Sequence, residues 1–143
     1  MKVKQISVFL ENRRGRLSEV LKILGAAAIN IRALSLADTS DFGILRLIVP
    51  RPGEAKKILE KNRFTVSVTP VIAVAVTDEP GGLAGVTTTL SEASTNVEYL
   101  YAFVEKQGRE AIVILRVENI ARAEKCLRAA GVKLLSAEDL ARL

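Results

Sequence analysis

The chain has 143 residues, 49% of them apolar, and its 21 Lys and Arg exceed its 16 Asp and Glu for a formal charge of +5. That length suits one ordinary domain or two small ones, and the apolar share is ample for a continuous core. There is no histidine and Cys126 is the lone cysteine, which excludes imidazole catalysis, a thiolate metal cluster and an intrachain disulfide.

Residues 3–10 alternate around β-branched and aromatic positions, as a half-buried strand does. Gly15 then opens a stripe of Leu17, Val20, Leu21, Leu24 and Ala28, spaced for one helix face. Asn30 to Ala37 returns to strand character, Thr39-Ser40-Asp41 has turn chemistry, and Phe42 to Val49 completes a hairpin. Pro50 and Pro52 stop that strand, Ala55, Ile58 and Leu59 mark a short helix, and Arg63 to Val68 supplies a last strand. The second half repeats the order, with strands near 71–77, 96–104, 110–117 and 132–135 and helices near 83–94 and 120–130. A tail from Ser136 to Leu143 reads as a short helix, with Ser136 as N-cap and Asp139 three residues on.

The repetition holds residue by residue. A shift of 66 pairs Ile6 with Ile72, Val8 with Val74, Gly15 with Gly81, Leu24 with Leu90 and Asn30 with Asn96. The second copy has a longer hairpin loop around Lys106-Gln107-Gly108-Arg109, after which a shift of 68 pairs Leu47 with Leu115, Ala55 with Ala123 and Leu59 with Leu127. The expected fold is α+β: two tandem ferredoxin-like βαββαβ units, each an antiparallel sheet with its helices on one face. The units are expected at 1–69 and 70–143, with 136–143 as the C-terminal helix, and Val68-Thr69-Pro70-Val71 leaves no room for a flexible linker.

Glu11-Asn12-Arg13-Arg14-Gly15-Arg16-Leu17 and Thr77-Asp78-Glu79-Pro80-Gly81-Gly82-Leu83 resemble the strand-to-helix loop of ACT domains. In that family an Asp or Asn precedes a Pro-Gly pair and a leucine that opens the first helix. Ala28-Ile29-Asn30-Ile31 and Ser94-Thr95-Asn96-Val97 resemble its second marker, an Asn-hydrophobic pair that begins the second strand. The first copy departs at Arg14, where the family has proline. The resemblance spans the whole chain, twice, in the manner of small stand-alone tandem ACT proteins. It implies a non-catalytic regulatory protein that binds an amino acid at ACT interfaces and modulates a metabolic enzyme, with no cofactor or metal. The implied ligand-binding positions are Asn12, Arg14, Gly15, Leu17, Asn30 and Ile31, and in the second copy Asp78, Gly81, Gly82, Leu83, Asn96 and Val97.

The chemistry of these residues suits a zwitterion. A helix N-terminus offers free amides and a positive dipole end to a carboxylate, and glycine lets a ligand approach the backbone closely. Side-chain oxygens of Asn12, Asp78, Asn30 and Asn96 can accept from an ammonium group, and Asp78 can also neutralise it. Structural roles stand beside these. Gly15 and Gly81 can serve a tight turn, Asn12 and Asp78 can satisfy nearby backbone, and Asn30 and Asn96 can cap a helix in the left-handed conformation. The alternative function is a ligand-independent interaction subunit of a partner enzyme.

Other features bear on partners. Arg13, Arg14 and Arg16 form a basic cluster, read either as a solvated run or as an anion lure. Tyr99, Tyr101 and Phe103 share one strand face, the equivalent positions of the first copy being the small Ala33, Ser35 and Ala37. The stripe packs either against another sheet or chain or within an ordinary core. The outward positions of the helix near 83–94, including Ala84, Gly85, Thr88, Thr89 and Ser91, are uncharged. Both features point to a homodimer. The third strands, Phe42–Val49 and Glu110–Val117, hold one aromatic between them, which argues against RNA stacking of the RRM type. No apolar run reaches membrane-spanning length and no signal peptide is evident, so a cytoplasmic protein without nucleic-acid or membrane partners is expected.

Overall fold

A computed structural model of the chain describes residues 2–38, 41–104 and 108–143. Two compact units emerge, one of Lys4–Thr69 and one of Pro70–Leu143 together with Lys2 and Val3. In the first, β1 (Val3–Glu11) leads to α1 (Arg16–Ala26), the hairpin of β2 (Ala33–Asp38) and β3 (Phe42–Ile48), then α2 (Pro52–Lys61) and β4 (Thr65–Thr77). In the second, β4 is followed by α3 (Gly82–Glu92), β5 (Val97–Ala102), β6 (Glu110–Val117), α4 (Ile120–Ala129), β7 (Lys133–Leu135) and α5 (Ala137–Ala141). Thr39, Ser40 and Glu105–Gln107 lie outside the described residues, so the expected turn at 39–41 and the expected loop at 106–109 are described only in part.

Each unit is an antiparallel sheet covered by helices on one face. Ile6↔Leu47 and Val8↔Leu45 set the register of β1 against β3, and Ile72↔Leu115 and Val74↔Val113 set that of β4 against β6. Alternation in the strands turns Ile6, Val8, Leu45 and Leu47 toward the helices, which answer with Val20, Leu24, Ala55 and Leu59. The second core repeats the set with Ile72, Val74, Val113, Leu115, Val86, Leu90, Ala123 and Leu127. Burying each large aliphatic side chain contributes about 1.5–3 kcal/mol. Among the described residues, no helix is long and apolar enough to cross a membrane.

Two features differ from the sequence reading. The expected strands at 63–68 and 71–77 are a single element, β4, which runs through Pro70. Proline fits extended backbone, and the pairing with β6 starts beyond it, at Ile72, so its missing N–H interrupts no ladder bond there. β2 starts at Ala33, three residues later than Asn30, because the chain first leaves α1 through Ala28 at φ +58°. Ala28 therefore closes the helix and does not extend its apolar stripe. Tyr99 and Tyr101 pair with Arg116 and Ile114, which places that stripe on the sheet face away from the helices.

The tail forms α5 with a reciprocal cap: Asp139 N–H donates to Ser136 Oγ (3.1 Å) and Ser136 N–H to Asp139 Oδ2 (2.9 Å). That backbone hydrogen bond, helped by the Ser136 side chain, holds the Asp139 carboxyl below its ordinary pKa.

Leu24→Ala and Leu90→Ala, at equivalent positions of the two cores and each fully buried, should each cost about 2–5 kcal/mol in urea unfolding. Because the Asp139 pKa is depressed on folding, the cap contributes fully above the ordinary carboxylate range and is lost as pH falls through the depressed value. Amide exchange at Asp139 should therefore accelerate only in acid, beyond the intrinsic pH dependence, and Ser136→Ala should abolish that transition.

Candidate ligand-binding cleft

The β1–α1 loop and its counterpart before α3 share one backbone design. Asn12 N–H donates to the Asp41 carbonyl (2.8 Å), and Asp78 N–H to the Arg109 carbonyl (3.0 Å), tying each loop to its unit's hairpin. Arg13 N–H reaches the Glu11 carbonyl at 2.8 Å, and Glu79 N–H the Thr77 carbonyl at 2.9 Å. Gly15 (φ +93°) and Gly81 (φ +86°) then stand as left-handed N-caps. A Cβ at either would meet nothing within 4 Å, so the requirement for glycine is torsional. Since glycine has no side-chain oxygen, neither helix start is capped by a side chain. The first helical bonds are Glu19 N–H to Gly15 C=O and Gly85 N–H to Gly81 C=O. The preceding amides of Leu17 and Ser18, and of Leu83 and Ala84, open at the helix ends.

The asparagines stand elsewhere. The left-handed residues after α1 and α3 are Ala28 and Ser94 (φ +58° and +54°), which overturns the reading of Asn30 and Asn96 as left-handed caps. Ile29 N–H returns to Leu24 C=O and Thr95 N–H to Leu90 C=O, so the helix ends are satisfied two residues early. Asn30 is exposed and its Oδ1 accepts from Ile31 N–H (2.9 Å). Ile31 and Val97 are half-buried against their respective cores. Within a unit this corner lies one helix length from the loop, about 16 Å for eleven residues at 1.5 Å rise. The sheet agrees, because Glu11 pairs with Phe42 at the start of β3 and Ala33 with Ile48 at its end. One small ligand cannot touch both motifs of the same unit.

A cleft of about 650 Å³ lies at the loop end of the second unit, within the size range of small-molecule sites. Ala75, Val76, Val86 and Val132 provide apolar surface, and Gly81, Gly82 and Gly85 a wall without side chains. Glu110 and Lys133 line it as an ion pair at 3.6 Å, half-exposed and open to exchange partners. Glu79 also lines it, whereas Asp78 and Leu83 do not. A Cβ at Gly82 would collide with the Thr77 carbonyl oxygen, so this glycine is a close-approach residue.

The first unit has the same corner, reduced to about 190 Å³. There Arg16 stands where the second unit has Gly82, Glu19 where it has Gly85, and Phe64 where it has Val132. The Arg16 guanidinium lies 4.4 Å from the Phe64 ring centroid and 2.8 Å from Glu19 Oε2. Arg16 is thus not part of a solvated basic run. Arg13 pairs with Glu11 at 3.2 Å, and Arg14 is exposed. Glu110, Gly131, Val132 and Lys133 were not anticipated from sequence. The shift of 68 pairs Gly131 with Arg63, both left-handed (φ +80° and +69°), and that glycine was the available signal.

Gly82→Ala should destabilise the chain by about 1–3 kcal/mol through overpacking, and Gly81→Ala by about 1–2 kcal/mol through its torsion. Gly85→Ala, which meets nothing within 4 Å inside a helix, should stabilise it by up to about 1 kcal/mol. Urea midpoints of the three variants check the ranking.

The ACT domain pair family matches residues 1–143, and no curated protein matches the sequence. Protein BT0572 from Bacteroides thetaiotaomicron is similar at 41% identity and a TM-score of 0.93, over 100% of this chain and 98% of that one. The regulatory subunit of aspartate kinase from Thermus thermophilus, in ligand free form, gives a TM-score of 0.70 at 16% identity over 92% of each chain. The regulatory subunit from Thermus flavus gives 0.67 at 16% identity, again over 92% of each. At that identity the two Thermus proteins speak for the fold alone. The family match and the 41% identical relative carry the conclusion: this chain belongs to the ACT domain pair family.

Proposed function

We propose that this protein is a non-catalytic regulatory module that binds a free amino acid in the second unit's cleft and signals occupancy to a separate metabolic enzyme. The observation that carries the reading is the cleft itself, which combines an apolar floor, a glycine wall and both signs of charge. An α-amino acid carries the complementary set. Its carboxylate fits Lys133 and the positive end of α3, and its ammonium group fits Glu110 or Glu79. Ala75, Val76, Val86 and Val132 favour an aliphatic side chain. The ligand exchanges its own charges for an exposed ion pair worth about 0–1 kcal/mol, so little is lost on entry. Kinship with the ACT domain pair family supports a regulatory role.

In this reading Gly81, Gly82 and Lys133 belong to the site, while Asn30 and Asn96 lie outside it. The protein works in the cytoplasm as a homodimer, and ligand and partner enzyme are coupled by about 1–3 kcal/mol.

Thermal denaturation against each of the twenty amino acids tests the proposal, since a ligand selective for the folded state raises the melting temperature. A rise with one amino acid or a small group of them is expected. Lys133→Ala should weaken that binding by about 1.5–3 kcal/mol, the value of a hydrogen bond to a charged group. No thermal shift and no calorimetric heat at millimolar concentration would overturn the reading.

A further inference from the structure

We infer that the two units are unequal by construction: the second unit's cleft alone takes the amino acid, and Arg16 is the built-in occupant of the first. The inference rests on the proposed amino-acid reading and adds which unit responds and why. The two corners are built from equivalent elements, yet the free volume falls from about 650 to about 190 Å³. Side-chain identity accounts for the fall. Where α3 presents Gly82 and Gly85, α1 presents Arg16 and Glu19, joined at 2.8 Å along the helix face. Where the connection from α4 to β7 offers Val132, the connection from α2 to β4 offers the Phe64 ring, on which the guanidinium stacks. Glu11 adds a second carboxylate 3.8 Å from Arg16 Nη2. The side chain is only 18% exposed, and its Nε is buried without a hydrogen-bond partner among the described residues.

The arrangement resembles a bound cation held by an aromatic face and two carboxylates, except that the cation is covalently part of the chain. Because Arg16 is tethered, it occupies the corner at an effective concentration that a free amino acid does not match. The remaining surface of the first corner, with Phe9, Phe42 and Phe64, also differs in kind from the aliphatic floor of the second. The second corner cannot close in this way, since residue 82 has no room even for a Cβ.

Nitrogen-15 NMR of the full chain, with an equimolar mixture of the twenty amino acids at millimolar concentration, separates the outcomes. Shifts at Gly81–Val86 and Gly131–Lys133 with none at Gly15–Val20 and Arg63–Thr65 support the inference. Shifts in the first set of residues and the second together, or in the second alone, overturn it while leaving amino-acid binding intact. Shifts nowhere overturn amino-acid binding and this inference with it. The same spectra carry the Arg16 Nε–H signal, which should be protected from solvent exchange relative to exposed arginines. An unprotected signal refutes the plug without any variant. Arg16→Gly should empty the corner, so that methylguanidinium at millimolar concentration raises the variant's melting temperature by several degrees and leaves the parent unchanged. Equal response of variant and parent would also refute it.

Discussion

The passage from strand to helix at Gly15 and Gly81 is the constraint on which the rest of the molecule turns. The chain must leave the sheet and lay a helix back across it within four residues, and a left-handed torsion accomplishes that reversal. Glycine meets the torsional demand but brings no side-chain oxygen, so the helix starts uncapped. The loop is fixed instead by backbone, through Asn12 to Asp41 and Asp78 to Arg109. A requirement of folding thereby leaves amides and a positive dipole end at one edge of each unit. The same geometry brings the α2–β4 and α4–β7 connections to that edge.

What fills the edge distinguishes the units. Their cores match closely, with Ile6, Val20, Leu24, Leu47 and Leu59 answered by Ile72, Val86, Leu90, Leu115 and Leu127. Close packing makes such positions intolerant of altered volume. The edge positions are under no such demand, and there the copies diverge: Arg16 against Gly82, Glu19 against Gly85, Phe42 against Glu110 and Phe64 against Val132. In the first unit Arg16 joins Glu19 and Phe64 and fills the edge. In the second they leave a cleft in which Glu110 pairs with Lys133. Duplication of a fold followed by divergence at its rim is one way to obtain a responsive half and a structural half from one scaffold.

Helix ends in the two units illustrate the same freedom. Arg51, ahead of α2, donates to the carbonyls of Ala27 and Ala28 just past the end of α1 (3.5 and 3.0 Å). Its counterpart Asn119 instead caps its own helix by accepting from Arg122 N–H (3.0 Å). Both satisfy helix-terminal groups that would otherwise stand bare. On α3, the run of threonines is accommodated because Thr87 and Thr89 turn their hydroxyls back to carbonyls of the preceding turn.

The sequence by itself determined the order of elements, the repeat, the faces that are buried, the two glycine turns and the cap at Ser136. These are local properties, since periodicity reports which face meets the core and a positive φ selects glycine. The tertiary structure decided the rest. It joined two expected strands into β4, and it placed Asn30 and Asn96 a helix length from the loops with which they were grouped. It also brought Glu110 and Lys133 together from distant segments. The difference between an open cleft and a filled one lay in residues that were all visible, Arg16 and Phe64 among them. Their meeting could not be read, because a cavity is the space left among side chains of separate elements, and that volume exists only once the elements have packed.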